Sequence, residues 1–230
     1  MDSNYYLPWD KTDDNFDLWD KLPQYRWIHN KLELAISCGH NAGPIPILPK
    51  VSGYYCLRPI YNLIGLGLHA KKIWIDKDNM DQIHEYHPGE FWCEWFNGPH
   101  YSIDYEWDNG WKPLFATEGF NTPDNMIQFS RWVKIVPPNI KLPKFLDKLK
   151  DNKVLNIEFK DSKILEVHLR LGNLHGDWHG IEDASIIVPA WQSIYMVEAQ
   201  AREQQGWKFV YDFDHAFAGM TDARIGFWYR

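Results

Sequence analysis

The pattern of apolar positions predicts several separate helices along the chain. Residues 24–43 carry apolar side chains at helical spacing, and Gly39 provides a stop signal. The strongest helical pattern covers residues 189–206, with Pro189 at its start and Gly206 at its end. Shorter helices are predicted over residues 79–87 and 142–152.

Short apolar runs and turn signals predict that much of the remaining chain forms strands. Residues 154–172 read as a hairpin, and a glycine-containing turn between two apolar runs predicts another hairpin over residues 62–75. Further strands are predicted over residues 44–48, 53–63, 91–96 and 101–107, and two more in the tail after residue 206. Hairpins combined with separate helices favour the α+β class, with residues 1–23 as an N-terminal arm.

The composition is that of a globular protein. Of the 230 residues, 45 % are hydrophobic and 24 % are charged, and no run of apolar residues is long enough to predict a membrane span. The formal net charge of −7 argues against extensive nucleic-acid binding. The acidic N-terminus lacks an apolar signal core, which predicts a cytoplasmic location. Cys38, Cys56 and Cys93 lack CxxC spacing, so we expect reduced thiols in the core.

The hairpin at residues 154–172 carries the most informative pattern of charged side chains. Because side chains alternate along a strand, Glu166, His168 and Arg170 share one face. A three-residue turn would place Glu158 opposite Glu166, whereas a two-residue turn would put Glu158 on the other face. Two facing carboxylates repel each other, and a divalent cation such as Mg²⁺ between them would remove that penalty. A solvated face of ordinary charges is the alternative interpretation.

A second candidate segment, CLRPIYNLIGLGLHA, begins at Cys56. In it Arg58 ends a predicted strand, and Gly65 and Gly67 lie in the loop that follows. Backbone N–H groups of such a loop, together with a guanidinium group, can bind phosphate. The same glycines would also suit an ordinary turn.

Three segments in this order resemble the nucleotide-binding motifs of the ATP-grasp superfamily. They are CLRPIYNLIGLG, CEWFNGPHYSID and LNIEFKDSKILEVHLR, which begin at Cys56, Cys93 and Leu155. The upstream pair Asn30-Lys31, followed by AGPIPILP, also looks like the helix and strand of that family. The resemblance spans residues 26–172.

The resemblance implies a role for each matching residue. Arg58 would contact the ATP phosphates, Gly65 and Gly67 would belong to the loop that covers them, and Arg170 would lie near the transferred phosphate. Arg58 and Arg170 are therefore the implied catalytic residues. The adenine and ribose site would comprise Cys93, Glu94, Trp95, Phe96 and His100. The metal ligands would be Glu158, Glu166 and His168, and the implied cofactors are ATP and Mg²⁺ or Mn²⁺.

Two matching positions depart from the family's pattern. His100 stands where the resemblance implies a ribose-binding acid, and His168 stands where it implies a metal-binding Asn. Imidazole is a poorer ligand for Mg²⁺ and favours Mn²⁺ or another metal. These departures leave a catalytically silent binding protein of the same fold as an alternative.

A separate set of residues resembles the H-x-D…H…R pattern of Fe(II)/2-oxoglutarate dioxygenases. His175 and Asp177 are followed by His215 and Arg224. Two His and one carboxylate would bind iron, and the Arg would pair with the carboxylate of 2-oxoglutarate. Under the ATP-grasp interpretation, His175, Asp177 and His179 would instead face the acceptor substrate or form an ordinary polar loop.

We therefore expect an α+β, ATP-grasp-like fold in a single domain over residues 1–230. A smaller lobe would cover residues 24–90 and a larger lobe residues 91–230. Each would hold an antiparallel sheet with packed helices, and the nucleotide cleft would lie between them. The implied function is an ATP-dependent ligase that activates a carboxylate as an acyl phosphate for attack by an amine, a thiol or a similar nucleophile. Its partners would be a small-molecule or peptide carboxylate and an amine acceptor.

Overall fold

The structure is a computed structural model that describes residues 15–63, 69–122, 125–214 and 222–230. Its α-helices are α1 (Asn15–Lys21), α2 (Lys31–Ser37), α3 (Asn173–Asp177) and α4 (Tyr195–Gln204), and 3₁₀ helices cover Pro23–His29, Met80–Glu85 and Lys144–Asn152. Its strands are β1 (Ala42–Pro44), β2 (Gly53–Pro59), β3 (Lys71–Ile75), β4 (Glu90–Glu94), β5 (His100–Trp107), β6 (Trp111–Thr122), β7 (Asn125–Lys134), β8 (Val154–Lys160), β9 (Lys163–His168), β10 (Ile186–Trp191), β11 (Lys208–Asp214) and β12 (Arg224–Tyr229).

Two antiparallel sheets organise the described strands. The smaller sheet has four strands in the order β1-β4-β2-β3, and the larger has eight in the order β11-β12-β10-β7-β6-β5-β8-β9. The predicted α+β class is confirmed. β4 belongs to the smaller sheet, although our lobe boundary assigned residues from 91 onward to the larger lobe. The segment after β4 leads directly from one sheet into the other.

The main apolar core lies on one face of β5, β8 and β9. Ile103, Leu155 and Ile157 point to this face and are fully buried. The 3₁₀ helix Lys144–Asn152 contributes Leu146 and Leu149, and α1 and α2 contribute Leu18 and Leu34. Because side chains alternate along each strand, the polar residues between these apolar positions point to the opposite face of the sheet. That face carries the candidate site.

The single helix that we expected over residues 24–43 is interrupted at Asn30. A 3₁₀ helix ends at His29, and Asn30 has an extended backbone with φ −77° and ψ 96°. Its side-chain oxygen accepts a hydrogen bond from the N–H of Glu33 at 3.0 Å, so Asn30 caps the start of α2. The predicted stop is confirmed by the positive φ of 77° at Gly39.

The helix that we expected over residues 189–206 begins six residues later. Residues up to Trp191 form β10, in which Pro189 pairs with Phe227 of β12, and α4 starts only at Tyr195. Pairing within the sheet therefore overrides the helix-start signal of Pro189. The predicted end is confirmed, because α4 stops at Gln204 and Gly206 has a φ of 81°.

Two predicted strand segments are also corrected. β1 ends at Pro44, so residues 45–48 of the predicted strand leave the sheet; Pro46, which has no N–H, is among them. The hairpin that we placed within residues 62–75 is instead formed by β2 and β3, which pair Gly53 with Ile75. Gly65 and Gly67 lie outside the described residues. In the predicted N-terminal arm, the described part contains the helix α1.

The described cysteines are free thiols with different degrees of burial. Cys93 is buried, whereas Cys38 and Cys56 are half-buried. Burial raises the pKa of the Cys93 thiol to about 12. In the described part of the chain, no helix is long and apolar enough to cross a membrane.

Candidate functional site

The turn between β8 and β9 is the shorter of the two alternatives that the sequence left open. Asp161 and Ser162 form a two-residue turn in which both have positive φ, 48° and 65°. This is the geometry of a type I′ turn, whose twist matches that of antiparallel strands. Lys160 pairs directly with Lys163 across it. Of the two turns considered, the two-residue turn is therefore the one that forms.

A β-bulge restores the predicted pairing of the carboxylates. The register shifts by one residue between the Phe159–Ile164 pair and the Glu158–Glu166 pair, which leaves Leu165 as the extra residue. Without this shift, Glu158 would oppose Leu165 and the two carboxylates would lie on different faces. Glu158 thus faces Glu166 although the turn has two residues, so the expectation that a two-residue turn would separate them is wrong.

Glu158 lies between two imidazole rings. Its Oε2 atom is 3.5 Å from His100 Nε2 on β5, and its Oε1 atom is 3.7 Å from His168 Nε2 on β9. Burial acts to raise the pKa of the Glu158 carboxyl group, but the interactions with His100 and His168 outweigh it and hold the pKa well below its usual range. The side chain is therefore a carboxylate near neutral pH.

Glu166 on β9 of the larger sheet contacts basic side chains from α2 and from β2 of the smaller sheet. Its Oε1 atom accepts a hydrogen bond from Lys31 Nζ of α2 and lies 4.0 Å from Arg58 NH1 of β2. Its Oε2 atom lies 3.7 Å from His168 Nε2. Since Glu166 is largely buried, the two cations offset the cost of burying its charge.

Two further contacts tie the smaller sheet and α2 to β9. Arg58 NH2 donates a hydrogen bond to the carbonyl oxygen of Leu165 at 3.3 Å, and His40 Nε2 lies 3.1 Å from that of Ile164. The guanidinium of Arg58 also lies 5.1 Å from the centre of the Phe91 ring. Arg58 is thus placed by three neighbours and points toward the carboxylates.

A buried polar network supports the strands that carry the site. Asp104 Oδ1 accepts hydrogen bonds from Asn156 Nδ2 and from the N–H of Gly172, both at 2.8 Å. Asn156 Nδ2 also donates to Ser102 Oγ at 2.9 Å. A Cβ atom at Gly172 would lie 2.7 Å from Asn156 Nδ2, so a larger residue here would displace the Asn156 side chain. The network fixes the backbone just beyond β9.

Arg170 lies beyond the end of β9, which stops at His168. Its NH1 atom donates to the carbonyl oxygen of Leu171 at 2.9 Å. The simple alternation that we used to group Arg170 with Glu166 and His168 therefore does not extend to it. Its catalytic role stays a prediction.

The segment Glu94–Pro99 connects the two sheets. Glu94 accepts from the N–H of Asn41 at 3.1 Å, and Phe96 is buried beside Lys163, whose Nζ lies 4.6 Å from the ring centre. The carbonyl oxygen of Pro99 accepts a hydrogen bond from the N–H of Asp161 at 3.0 Å. The connecting turn is thus fixed against the turn of the β8–β9 hairpin. The nucleotide-binding roles of Cys93, Glu94, Trp95 and Phe96 stay predictions.

The donor atoms around Glu158 lie too far apart, as the side chains stand, to be ligands of one divalent cation. As the side chains stand, no group of three or more His, Cys, Asp or Glu within the described ranges is arranged to hold a metal ion. Metal–ligand distances of about 2.0–2.2 Å place neighbouring ligands of one ion about 3 Å apart. The separations of 3.5–3.7 Å between the carboxylates and imidazoles would therefore have to close by about 0.5–0.7 Å.

Of the three side chains considered as iron ligands, the structure describes only that of Asp177. Asp177 Oδ2 lies 3.7 Å from Arg224 NH1, and Arg224 NH2 donates to Asp212 Oδ2 at 2.6 Å. The carboxylate is thus paired with the Arg that was expected to bind a separate substrate. His215 lies outside the described residues. His179 is an exposed side chain 3.8 Å from Glu182.

Asn15 and Lys31 are two site neighbours to which the sequence analysis assigned no role. Asn15 Oδ1 lies 3.2 Å from His168 Nδ1, and Lys31 binds Glu166. They are 153 and 135 residues from their partners along the chain. The Asn30-Lys31 pair was the one available signal, and it indicated the helix rather than a contact.

His29, close to this site, is expected to make folding stability depend on pH. Burial lowers its pKa from the usual 6.5 to about 4, and the charges of His168 and Lys31 act in the same direction against Glu166. Between these two pH values the unfolded chain binds the proton and the folded chain does not. Stability should therefore fall as the pH is lowered from 6.5 to 4, by on the order of 3 kcal/mol from this group.

Urea unfolding at pH 7 and pH 5 of wild type and His29→Gln tests this expectation. The variant should lose less stability than wild type on acidification, because Gln does not titrate. His87→Gln, which removes an exposed imidazole, is the matched control. An unchanged pH dependence in His29→Gln would contradict the assignment.

No protein-family model and no curated protein sequence matches the chain. Solved structures do match its fold. An L-amino acid ligase from Bacillus licheniformis is 9 % identical with a TM-score of 0.55, and the match covers 89 % of this chain and 66 % of that one. An N5-carboxyaminoimidazole synthase from Aspergillus clavatus, in complex with ADP and 5-aminoimidazole ribonucleotide, is 10 % identical with a TM-score of 0.56 and coverages of 95 % and 75 %.

A carboxyaminoimidazole ribonucleotide synthase from the same fungus, complexed with ATP, is 11 % identical with a TM-score of 0.52. That match covers 94 % of this chain and 74 % of the synthase. The chain thus spans 66–75 % of the length of these three enzymes. The similarity includes both sheets, since it extends over nearly the whole chain.

Proposed function

Because the chain has the ATP-grasp fold that three sequence segments indicated, we propose that it is an ATP- and divalent-metal-dependent ligase. In the proposed reaction, a substrate carboxylate attacks the γ-phosphorus of ATP, which gives an acyl phosphate and ADP. An amine or similar nucleophile then attacks the acyl carbon, and phosphate leaves. The observation that carries the proposal is the facing pair Glu158 and Glu166, set beside basic side chains of the smaller sheet and α2.

In this proposal the basic residues bind the phosphates of ATP. Arg58 and Lys31 converge on Glu166 from β2 and α2 and would exchange part of that contact for phosphate oxygens. Arg170 and the loop with Gly65 and Gly67 complete the proposed phosphate site. Fixed cations at the transferred group stabilise its charge without reorganisation during the reaction.

Glu158, Glu166 and His168 would hold the divalent cation, Mg²⁺ or Mn²⁺. When bound, the cation neutralises charge on the phosphates of ATP. The segment from Cys93 to Phe96 would contact adenine, with His100 next to the ribose. We also propose that the two sheets belong to two lobes of one domain, with the nucleotide between them. The partners would be a small-molecule or peptide carboxylate and an amine acceptor.

Thermal unfolding with nucleotide and metal tests the first part of the proposal. Ligand at about 100 times its dissociation constant stabilises a protein by about 2.7 kcal/mol, which for a chain of this size raises the melting temperature by about 5–10 °C. ATP with Mg²⁺ or Mn²⁺ should give such a shift, and ATP with a chelator should give a much smaller one. A shift produced only by Fe²⁺ with 2-oxoglutarate would contradict the proposal and favour the oxygenase.

Phosphate release tests the catalytic part. A set of carboxylic and amino acids, offered in pairs with ATP and Mg²⁺, should contain a pair that increases release of phosphate. Nucleotide-dependent stabilisation without phosphate release from any pair would contradict ligase activity and support a silent binding protein.

A further inference from the structure

We propose that the outer edge of β11 is a surface at which the chain pairs with a second copy of itself about a two-fold axis. The larger sheet of one copy would then continue into the larger sheet of the other. The inference goes beyond the proposed function and does not depend on it. β11 lies at one edge of the larger sheet, and β8 and β9, which carry the facing carboxylates, lie at the opposite edge.

The first step of the argument is that β11 has one neighbouring strand. It stands at the end of the strand order, and within the described residues only β12 pairs with it. An unpaired edge presents a row of N–H and C=O groups that another strand can bind. The β9 edge is already contacted, because Arg58 and His40 reach its carbonyl oxygens. For the β11 edge, the described part of the chain provides no backbone hydrogen bond from another element.

The second step is the direction of the backbone groups of β11. Arg230 and Ile186 exchange backbone hydrogen bonds in both directions, at 3.3 and 3.2 Å, where the chain of β12 meets β10. Because such bonds alternate along an antiparallel pair, the next residue of β12, Tyr229, directs its backbone groups toward β11 instead. Tyr229 pairs with Lys208. The N–H and C=O of Phe209, one residue further along, therefore point to the outer edge, as do those of the second residue after it.

The third step is that two copies of this edge are complementary when they pair about Val210. With that centre, Phe209 of each copy lies opposite Tyr211 of the other. Both residues direct their backbone groups outward, so they exchange hydrogen bonds across the pair, and aromatic side chains face each other. Lys208 lies opposite Asp212, which places opposite charges across the strand pair at both of its ends. Lys208 is exposed, and the Asp212 side chain is 45 % exposed.

The fourth step is that the regular edge is too short to pair equally well in another register. The pairing with β12 shifts between Tyr211 and Asp214, so the regular part of the edge covers residues 208–212. Moving the centre one residue toward the start of β11 would place Lys208 opposite Val210 and leave its charge unmatched. Moving it one residue the other way would bring the irregular part of the strand into the pair. Only the pairing about Val210 matches the charges within the regular edge.

The fifth step is the apolar surface beside the edge. Tyr211 is 73 % exposed. The helix α4 packs on β11, since the Tyr195 ring lies 4.9 Å from that of Phe209, and it carries Met196 and Val197, which are 84 % and 81 % exposed. A two-fold axis through an antiparallel strand pair is perpendicular to the sheet, so both copies of α4 would lie on the same face beside the new pair. Apolar groups from both copies are thereby brought to one surface.

Sedimentation of the full chain, without nucleotide or metal, tests the proposal. Wild type should convert from monomer to dimer with a dissociation constant on the order of 1–100 µM, because the interface is small. Lys208→Glu, which places like charges opposite each other at both ends, should weaken the dimer by at least about tenfold. Tyr211→Pro removes an outward N–H that the sheet itself does not use, so it should abolish the dimer and leave the circular dichroism spectrum unchanged.

Lys71→Glu is the matched control, since Lys71 is an exposed lysine on β3, the edge strand of the smaller sheet. This variant should form dimers like wild type. A chain that stays monomeric up to about 100 µM would overturn the proposal and leave the edge for a strand of a different protein. Dimers that persist in both Lys208→Glu and Tyr211→Pro would place the interface elsewhere. Assemblies that grow beyond the dimer would also contradict it, because a two-fold interface closes.

A cross-link locates the interface without weakening it. At the proposed centre, Val210 lies opposite itself in a non-hydrogen-bonded pair, whose Cα atoms are about 4.5 Å apart. In Val210→Cys the two new thiols should therefore form a disulfide between copies on incubation with oxidised glutathione, which accepts their two electrons and two protons. Lys71→Cys and wild type should give no such dimer. Failure of Val210→Cys to cross-link while wild type sediments as a dimer would contradict the proposed register.

These measurements are separate from those on the proposed function. Loss of the dimer in Lys208→Glu should leave the thermal shift with ATP and metal unchanged, because the nucleotide is proposed to bind at the other edge of the sheet. A dimer in a chain that does not respond to ATP would support the β11 interface and contradict the ligase. A monomer that responds to ATP would support the ligase and contradict the interface.

Discussion

Replacing Glu158 with Gln is expected to lower phosphoryl transfer by at least about 100-fold, because the variant keeps the shape of the side chain but removes its charge. The carboxylate lies between His100 and His168, and Glu166 is a second carboxylate beside His168. Without it, a divalent cation would lose its central ligand, and ATP would lose the charge neutralisation that the cation supplies. The measurement is phosphate release, together with the melting temperature in ATP and Mg²⁺ or Mn²⁺.

Glu203→Gln is the matched control, since Glu203 is an exposed acid on α4. This variant should keep wild-type rates and the wild-type thermal shift. Glu166→Gln should also lose the shift, because it removes the second carboxylate proposed to hold the cation. If Glu158→Gln and Glu166→Gln both bind metal and nucleotide as well as wild type, the metal role of this pair is contradicted.

Replacing Gly98 with Ala is expected to destabilise the fold by about 3 kcal/mol or more. Gly98 has a φ of 109°, which an L-residue adopts only with strain of about 1–2 kcal/mol. An added Cβ atom would also lie 2.6 Å from Asp161 Cβ, in the turn of the β8–β9 hairpin. That atom sits next to the backbone and moves only with it, so overpacking adds about 1–3 kcal/mol. Urea unfolding measures the loss.

Gly39→Ala separates the two causes. Gly39 has a φ of 77° but no atom within 4 Å of an added Cβ, so this variant reports backbone strain alone. Asp161→Gly, combined with Gly98→Ala, should recover the part of the loss that comes from the clash. Equal destabilisation by Gly98→Ala and Gly39→Ala would show that the two turns are not packed together.

The register of the β8–β9 hairpin shows how far sequence reasoning reached. The facing of Glu158 and Glu166 was one of two alternatives, tied to a three-residue turn, and the structure has the facing pair. It does not have that turn, because a bulge at Leu165 supplies the extra residue instead. One extra residue in the turn and one extra residue in a bulge have the same effect on the register of all pairs beyond them. Sequence spacing alone does not distinguish them.

Other differences arise where distant partners decide the local structure. Pro189 is a good first residue for a helix, but its neighbours pair with β12, whose sequence lies 30 or more residues away. No element was predicted over residues 111–134, which form the long strands β6 and β7. Register shifts interrupt their pairing near Asn121 and weaken any alternating pattern. Strand pairing depends on partners that are distant in sequence, so a local pattern of side chains predicts it only in part.

The candidate site was predictable to the extent that it lies within one hairpin. Glu158, Glu166 and His168 belong to adjacent strands joined by a two-residue turn. Lys31, Asn15 and His100 reach the same place from other elements, and only the folded chain shows that they meet. Of these, His100 was singled out as a departure from a motif and not as a neighbour of Glu158.

The contact of Lys31 with Glu166 gives one carboxylate two tasks. It holds α2 to β9 and also faces the proposed cation site, so under the proposal it would be both a structural contact and a ligand. A cation would compete with Lys31 for Glu166, and a phosphate would compete with Glu166 for Lys31. Either would weaken the contact between α2 and β9. Occupancy of the site and the relative positions of the two sheets are therefore expected to change together.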